Sequence, residues 1–173
     1  MGNAVLEELY RRLTDESIPA RLLEDEKALT VLLEPPTTDF DIYGDVFFNR
    51  FGGDKEDDGL LVASFEVCDI TDEPDEVHAN LGIALSLMNA SLTAGGYLIS
   101  VSEQEDADTN EPSSVKLMYR LSLPVGFVKN DSWLAKEAYE CVLTSAAVLK
   151  VTSGALLDFA RGRMSREDFL KLI

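Results

Sequence analysis

Apolar positions Val5, Leu6, Leu9, Tyr10 and Leu13 recur three and four residues apart, the spacing that lines one side of an α-helix, and Asn3 is placed to cap it. After Pro19, the run Leu29 to Leu33 reads as a first strand. Pro35-Pro36 bounds it, because proline cannot continue a sheet ladder. Asp45 to Phe51 and Leu60 to Cys68 are aromatic or β-branched runs on either side of the short, acidic, Gly-flanked stretch Gly52 to Gly59, which predicts an antiparallel hairpin. A helix is expected to start at Thr71-Asp72-Glu73-Pro74, with Asp72 as cap, proline in the first turn and carboxylates at the positive end of the dipole. Its apolar set is Val77, Leu81, Ala84, Leu85, Met88 and Leu92, with Ile83 and Leu87 off that stripe, so it calls for cover on two sides.

Gly95-Gly96 stops this helix and releases the chain into a strand at Tyr97 to Val101. The acidic segment Glu103 to Glu111 reads as a solvated loop. Beyond it, Val115, Leu117, Tyr119, Leu121 and Leu123 alternate with Lys116, Met118, Arg120 and Ser122, a strand with one buried and one wetter face. From Ser132 a long helical pattern runs to Arg161, with Gly154 as a point of bending and Gly162 as its end; Ser165 caps a last short helix. The order α-β-β-β-α-β-β-α, plus a short C-terminal helix, predicts an α+β fold with a largely antiparallel five-stranded sheet, one domain spanning residues 1–173.

Strand alternation also predicts an apolar surplus. Val46 and Phe48 point one way and Phe47 and Phe51 the other, so one helical layer cannot bury both sets. Either the N-terminal helix or the C-terminal extension crosses the second face, or that face serves protein binding or self-association. Phe47, Phe51 and Met118 are the candidate binding residues.

Charge narrows the partners. The chain carries 15 Lys and Arg against 32 Asp and Glu, a formal net charge of −17, which repels phosphate backbones and anionic lipid headgroups. Neither nucleic acid nor membrane is expected as a partner. The N-terminal residues lack the basic start and apolar block of a secretory signal, and Leu6 stands where a myristoylation motif wants Ser or Thr. Cys141 to Leu157, the most apolar long stretch, is interrupted by Lys150 and by Thr and Ser residues, as in a packed helix. Cys68 and Cys141 have no metal or redox spacing and read as buried, reduced thiols of a cytoplasmic protein.

Little catalytic chemistry is visible. His78, the single histidine, rules out multi-histidine zinc centres and reads as a plain helix residue. Asp54 to Gly59 mimics the start of a calcium loop, but Glu56 fills the third ligand position and Phe65 the twelfth, and a strand follows where the motif needs a helix. No metal and no cofactor is expected, and no enzyme activity. The alternative is a small enzyme or ligand-binding protein using carboxylates in a helix-sheet cleft; an acidic DNA-mimicking regulator is a third reading, motivated by charge alone.

The segment Leu81 to Phe127 carries a resemblance. A helix ending at Met88-Asn89-Ala90 leads through Gly95-Gly96-Tyr97-Leu98 to a hairpin that closes on Val115 to Pro124, a leucine-rich stretch ending in L-x-L-P before the terminal helix. This succession resembles the type III secretion chaperone-like fold, shared by secretion chaperones of the CesT and Tir type and by the YbjN family. The resemblance implies a small acidic cytoplasmic bacterial protein, often dimeric, that works by binding another protein. The insert from Pro35-Pro36 to Tyr43 and the final Ser165 to Ile173 helix depart from the pattern. The reading is therefore a non-enzymatic protein-binding module, chaperone-like or YbjN-like, with an unidentified protein partner and a possible homodimer.

Overall fold

In a computed structural model that describes residues 2–23, 28–33, 42–50, 59–102, 114–125 and 130–173, ten elements follow one another. They are α1 (Gly2–Asp15), β1 (Ala20–Leu23), β2 (Ala28–Leu33), β3 (Ile42–Arg50), β4 (Gly59–Asp69), α2 (Asp75–Ser91), β5 (Gly96–Ser102), β6 (Ser114–Pro124), α3 (Asp131–Ala160) and α4 (Arg166–Leu172). The α+β class holds, but the sheet has six strands, in the order β1-β2-β3-β4-β6-β5, with every neighbouring pair antiparallel. The additional strand is β1, four residues that pair with β2 from Ala20 opposite Val31 to Leu23 opposite Ala28.

The helices α1, α2 and α3 pack on one side of the sheet. Val5, Leu6, Leu9 and Leu13 of α1 and Leu134, Ala138, Val142, Leu149 and Leu156 of α3 share one buried cluster with Leu29, Val31, Val46, Ala63, Phe65, Leu117 and Tyr119. α3, about 45 Å long at 1.5 Å per residue, lies between α1 and α2. It is also the one helix among the described residues long and apolar enough to cross a membrane. Its buried Ser145 and Ser153 donate to the carbonyls of Cys141 and Leu149, so neither hydroxyl goes unpaired in the core. α4 returns along α3, where Phe169 stacks on Phe159 with ring centroids 4.7 Å apart.

Several local expectations shift. α2 starts at Asp75 behind Pro74, not behind Asp72: the Asp69 carboxylate accepts from the Thr71 amide at 2.8 Å and holds the chain in a turn up to that point. α2 lies against both α3 and β5, and of the two residues off its main stripe Leu87 packs on the core while Ile83 stays exposed. Cys68 and Cys141 are partly rather than fully buried. At the end of the connection after α2, Gly95 has φ +67°, and a Cβ there would meet the Tyr119 hydroxyl and lie 2.8 Å from the Arg120 carbonyl oxygen, so only glycine fits without strain.

Candidate functional site

Strand register defines the second face of the sheet. Residues of strands alternate between faces, and the strand residues of the buried cluster all belong to the helix-covered one. On the other face, reading across the strands, one row runs Leu23, Ala28, Phe47, Val62, Ser122. The next runs Arg21, Thr30, Asp45, Ser64, Arg120, and a third Leu32, Tyr43, Glu66, Met118, Leu98. Leu60 beside Pro124 lies past the first row; Asp69, Lys116 and Ser100 lie past the third.

This face is therefore striped. An apolar row and a mixed row flank a polar one in which the Thr30 hydroxyl donates to the Asp45 carboxylate at 2.8 Å. In the mixed region Lys116 Nζ donates to Glu66 Oε2 at 2.7 Å. The described charges on the face are Arg21, Lys116 and Arg120 against Asp45, Glu66 and Asp69, which cancel, while the whole chain stands at −17. No helix among the described residues packs here. α1 and α4, the two elements offered as cover for the second face, lie on the helical side instead.

Phe47 and Met118 both belong to this helix-free face, each half-buried, but in different rows and with β4 between their strands. Two strand spacings and four residues along a strand separate them by roughly 16 Å. The polar row passes between them. Phe51 lies outside the described residues, as do most of the calcium-like loop, the Glu103 to Glu111 segment and the Pro35-Pro36 insert. Leu23, Leu32, Tyr43, Leu60 and Leu98 join the face without having been singled out in the sequence, while Ala28, Val62 and Ser64 belong to its rows but are buried. In the continuous run Leu60 to Phe65 alternation gives no hint of which side chain faces where, and only the pairing of β4 with β3 and β6 assigns it.

Elsewhere the polar side chains are structural. His78 Nε2 lies 2.8 Å from the Ile70 carbonyl oxygen and ties α2 to the end of β4. Glu73 accepts two hydrogen bonds from Arg161, linking the start of α2 to the end of α3. Burial pushes the Cys68 and Cys141 thiols up to about 11. Thiols so raised keep little thiolate at neutral pH, so a disulfide-exchange reagent at pH 8 should label both about a hundredfold more slowly than a free cysteine. Labelling at the free-cysteine rate in the folded protein would contradict their burial. Among the described residues no three His, Cys, Asp or Glu side chains gather to hold a metal ion.

No family model and no curated protein matches the chain. Among solved structures it is similar to the crystal structure of YbjN from E. coli, a proposed transcription regulator, at 21% sequence identity and a TM-score of 0.45, over 84% of this chain and 88% of that one. The likeness is to YbjN. The match says nothing of the CesT and Tir type chaperones.

Proposed function

We propose that this is a non-enzymatic protein-binding module that receives a protein partner on the helix-free face of its sheet. The observation that carries this reading is the one-sided packing: six strands carry their helices on one side, while Leu23, Leu32, Phe47, Leu60, Leu98 and Met118 stay outside the core. Apolar residues framed by paired charges of both signs, on a face that is electrically balanced, suit a partner surface of mixed character. The two unpaired thiols, Cys68 and Cys141, support a reducing compartment such as the cytoplasm.

A variant set tests the proposal. Phe47→Asp and Met118→Asp place a charge on the helix-free face, and Val151→Asp places one on the exposed side of α3. Neither face variant should cost more than about 1 kcal/mol of stability, because neither side chain is part of the core. A partner recovered from the source cell with the unaltered protein should be recovered at least about tenfold less with Phe47→Asp and undiminished with Val151→Asp. Equal recovery by all of them, or unfolding of both face variants, overturns the reading.

A further inference from the structure

The charges of the helix-free face are unevenly satisfied. Each of its three carboxylates already has a donor within the chain: Asp45 accepts from the Thr30 hydroxyl, Glu66 from Lys116 Nζ, and Asp69 from the amide and hydroxyl of Thr71. Of its three cations, Lys116 is engaged by Glu66. The other two, Arg21 and Arg120, are exposed and form no ion pair among the described residues, in a chain with 32 Asp and Glu against 15 Lys and Arg. Arg11, Arg12, Arg161 and Arg163 each hold a carboxylate, and Arg166 on α4 shares the lack.

Strand register puts these two arginines at opposite ends of the polar row, Arg21 on β1 and Arg120 on β6, with Thr30, Asp45 and Ser64 between them. Four strand spacings separate them by about 19 Å. Beyond Arg120 the row ends at Gly96, so β5 sets no side chain beside that guanidinium. The two neighbouring rows lie about 7 Å to either side along the strands, one holding Phe47 and the other Met118. Anything laid along the polar row therefore reaches both apolar sets. A guanidinium presents a planar fork that matches a carboxylate through two parallel hydrogen bonds, which an ammonium does not.

We propose that the occupant of this face is an extended acidic segment of a partner protein, running across the strands along the polar row. One of its carboxylates sits on Arg21 and another on Arg120, and the apolar side chains between them lean toward Phe47 and Met118. This names the partner for the reading of the face as a binding site and rests on that reading. At about 3.3 Å per residue, a span of about 19 Å is roughly six residues. Six is an even number, so both acids point to the same side of an extended chain. Charge selects this occupant. A basic segment would meet two unpaired guanidiniums here and be drawn to the acidic surplus elsewhere, whereas acids without this spacing are left facing a body of charge −17. A purely apolar segment would cover both guanidiniums and leave them without a partner.

Peptides selected on the full chain from a random display library are the probe. Enriched sequences should carry two Asp or Glu residues about six positions apart. A synthetic copy should lose binding on the order of tenfold when Arg21→Gln and Arg120→Gln are combined, and less when both become Lys, which keeps the charge but not the fork. Phe47→Asp should weaken the same peptide. The thermal transition of the arginine variants should stay in place, since neither side chain has a described partner to lose. Enriched sequences without the acid pair overturn the proposal, as does equal binding by the unaltered protein and the double glutamine variant. If that variant misfolds, the peptide with both acids changed to Gln decides: undiminished binding of it to the unaltered protein also overturns the proposal. The two failures are distinct. A peptide that ignores the arginines but is lost with Phe47→Asp removes the acidic partner and keeps the face as a binding site, whereas one indifferent to both removes the face as well. A DNA duplex that displaces the peptide in an arginine-dependent way overturns the assignment to a protein segment.

Discussion

Gly44→Ala should destabilise the protein by about 3 kcal/mol, lowering the melting temperature of a chain this size by roughly 6–12 °C. Gly44 lies in β3 opposite Val31 and Phe65, on the helix-covered side. A Cβ at this position would fall well inside 3.0 Å of three atoms of the Phe65 ring. That ring is fully buried beneath the helices and cannot swing into solvent. One methyl group must therefore push either the ring into its neighbours or β3 away from β4, and a close-packed interior resists both. Tyr43 and Asp45, on either side of Gly44, face the helix-free side, so a displaced β3 would also disturb the candidate binding rows. Phe65→Leu, harmful alone through the cavity it leaves, should recover part of the loss when combined with Gly44→Ala, and a double-mutant cycle measures that coupling. A Gly44→Ala protein within about 0.5 kcal/mol of the original would show that the ring has room to move.

How much of this was readable in advance depends on the range of the interaction involved. Two helix boundaries followed from local signals, since Gly162 with φ +70° follows the end of α3 and Ser165 caps α4, whereas Asn130, which accepts from the Trp133 amide at 3.1 Å to start α3, was not singled out in the sequence and Asn3 lies within α1 instead of capping it. β1 escaped because Ala20 to Leu23 is short and has no alternation of its own; it is a strand because β2 pairs with it. The start of α2 was misplaced because the Asp69 carboxylate, outside the helix, holds the turn that keeps Asp72 from capping. The opposed orientation of Phe47 and Phe48 was legible, since alternation within one strand is a local property. The polar row that separates Phe47 from Met118 was not. Asp45, Ser64 and Arg120 come from distant parts of the chain and become neighbours only when three strands align.

Raising the pH from 8 to 11 should remove about 4 kcal/mol of stability, a large share of the 5–15 kcal/mol that holds a typical domain. Four groups act together. Burial pushes the thiols of Cys68 and Cys141 up to about 11 and the Tyr119 hydroxyl up to about 12, and raises that of Tyr97 as well. Tyr119 donates to the Ala94 carbonyl at 2.8 Å, which favours its neutral form, whereas the 2.6 Å hydrogen bond between Tyr97 and Thr152 works against the rise that burial causes at Tyr97. Each group holds its proton more tightly folded than unfolded. Its contribution is complete below the ordinary values of 9.0 for cysteine and 10.0 for tyrosine, and is lost as pH climbs toward the raised ones. With both thiols at about 11, Tyr119 at about 12 and Tyr97 raised beside them, the loss by pH 11 would be roughly 7 kcal/mol; water reaches several of these groups, and halving the sum allows for it. Urea unfolding at the two pH values checks the size. Cys68→Ala combined with Cys141→Ala should flatten the loss by about half, whereas added salt, which screens repulsion within a body of charge −17, should leave the thiol share in place. Equal unfolding midpoints at pH 8 and pH 11 would mean that these side chains meet solvent as freely in the folded chain as in the unfolded one.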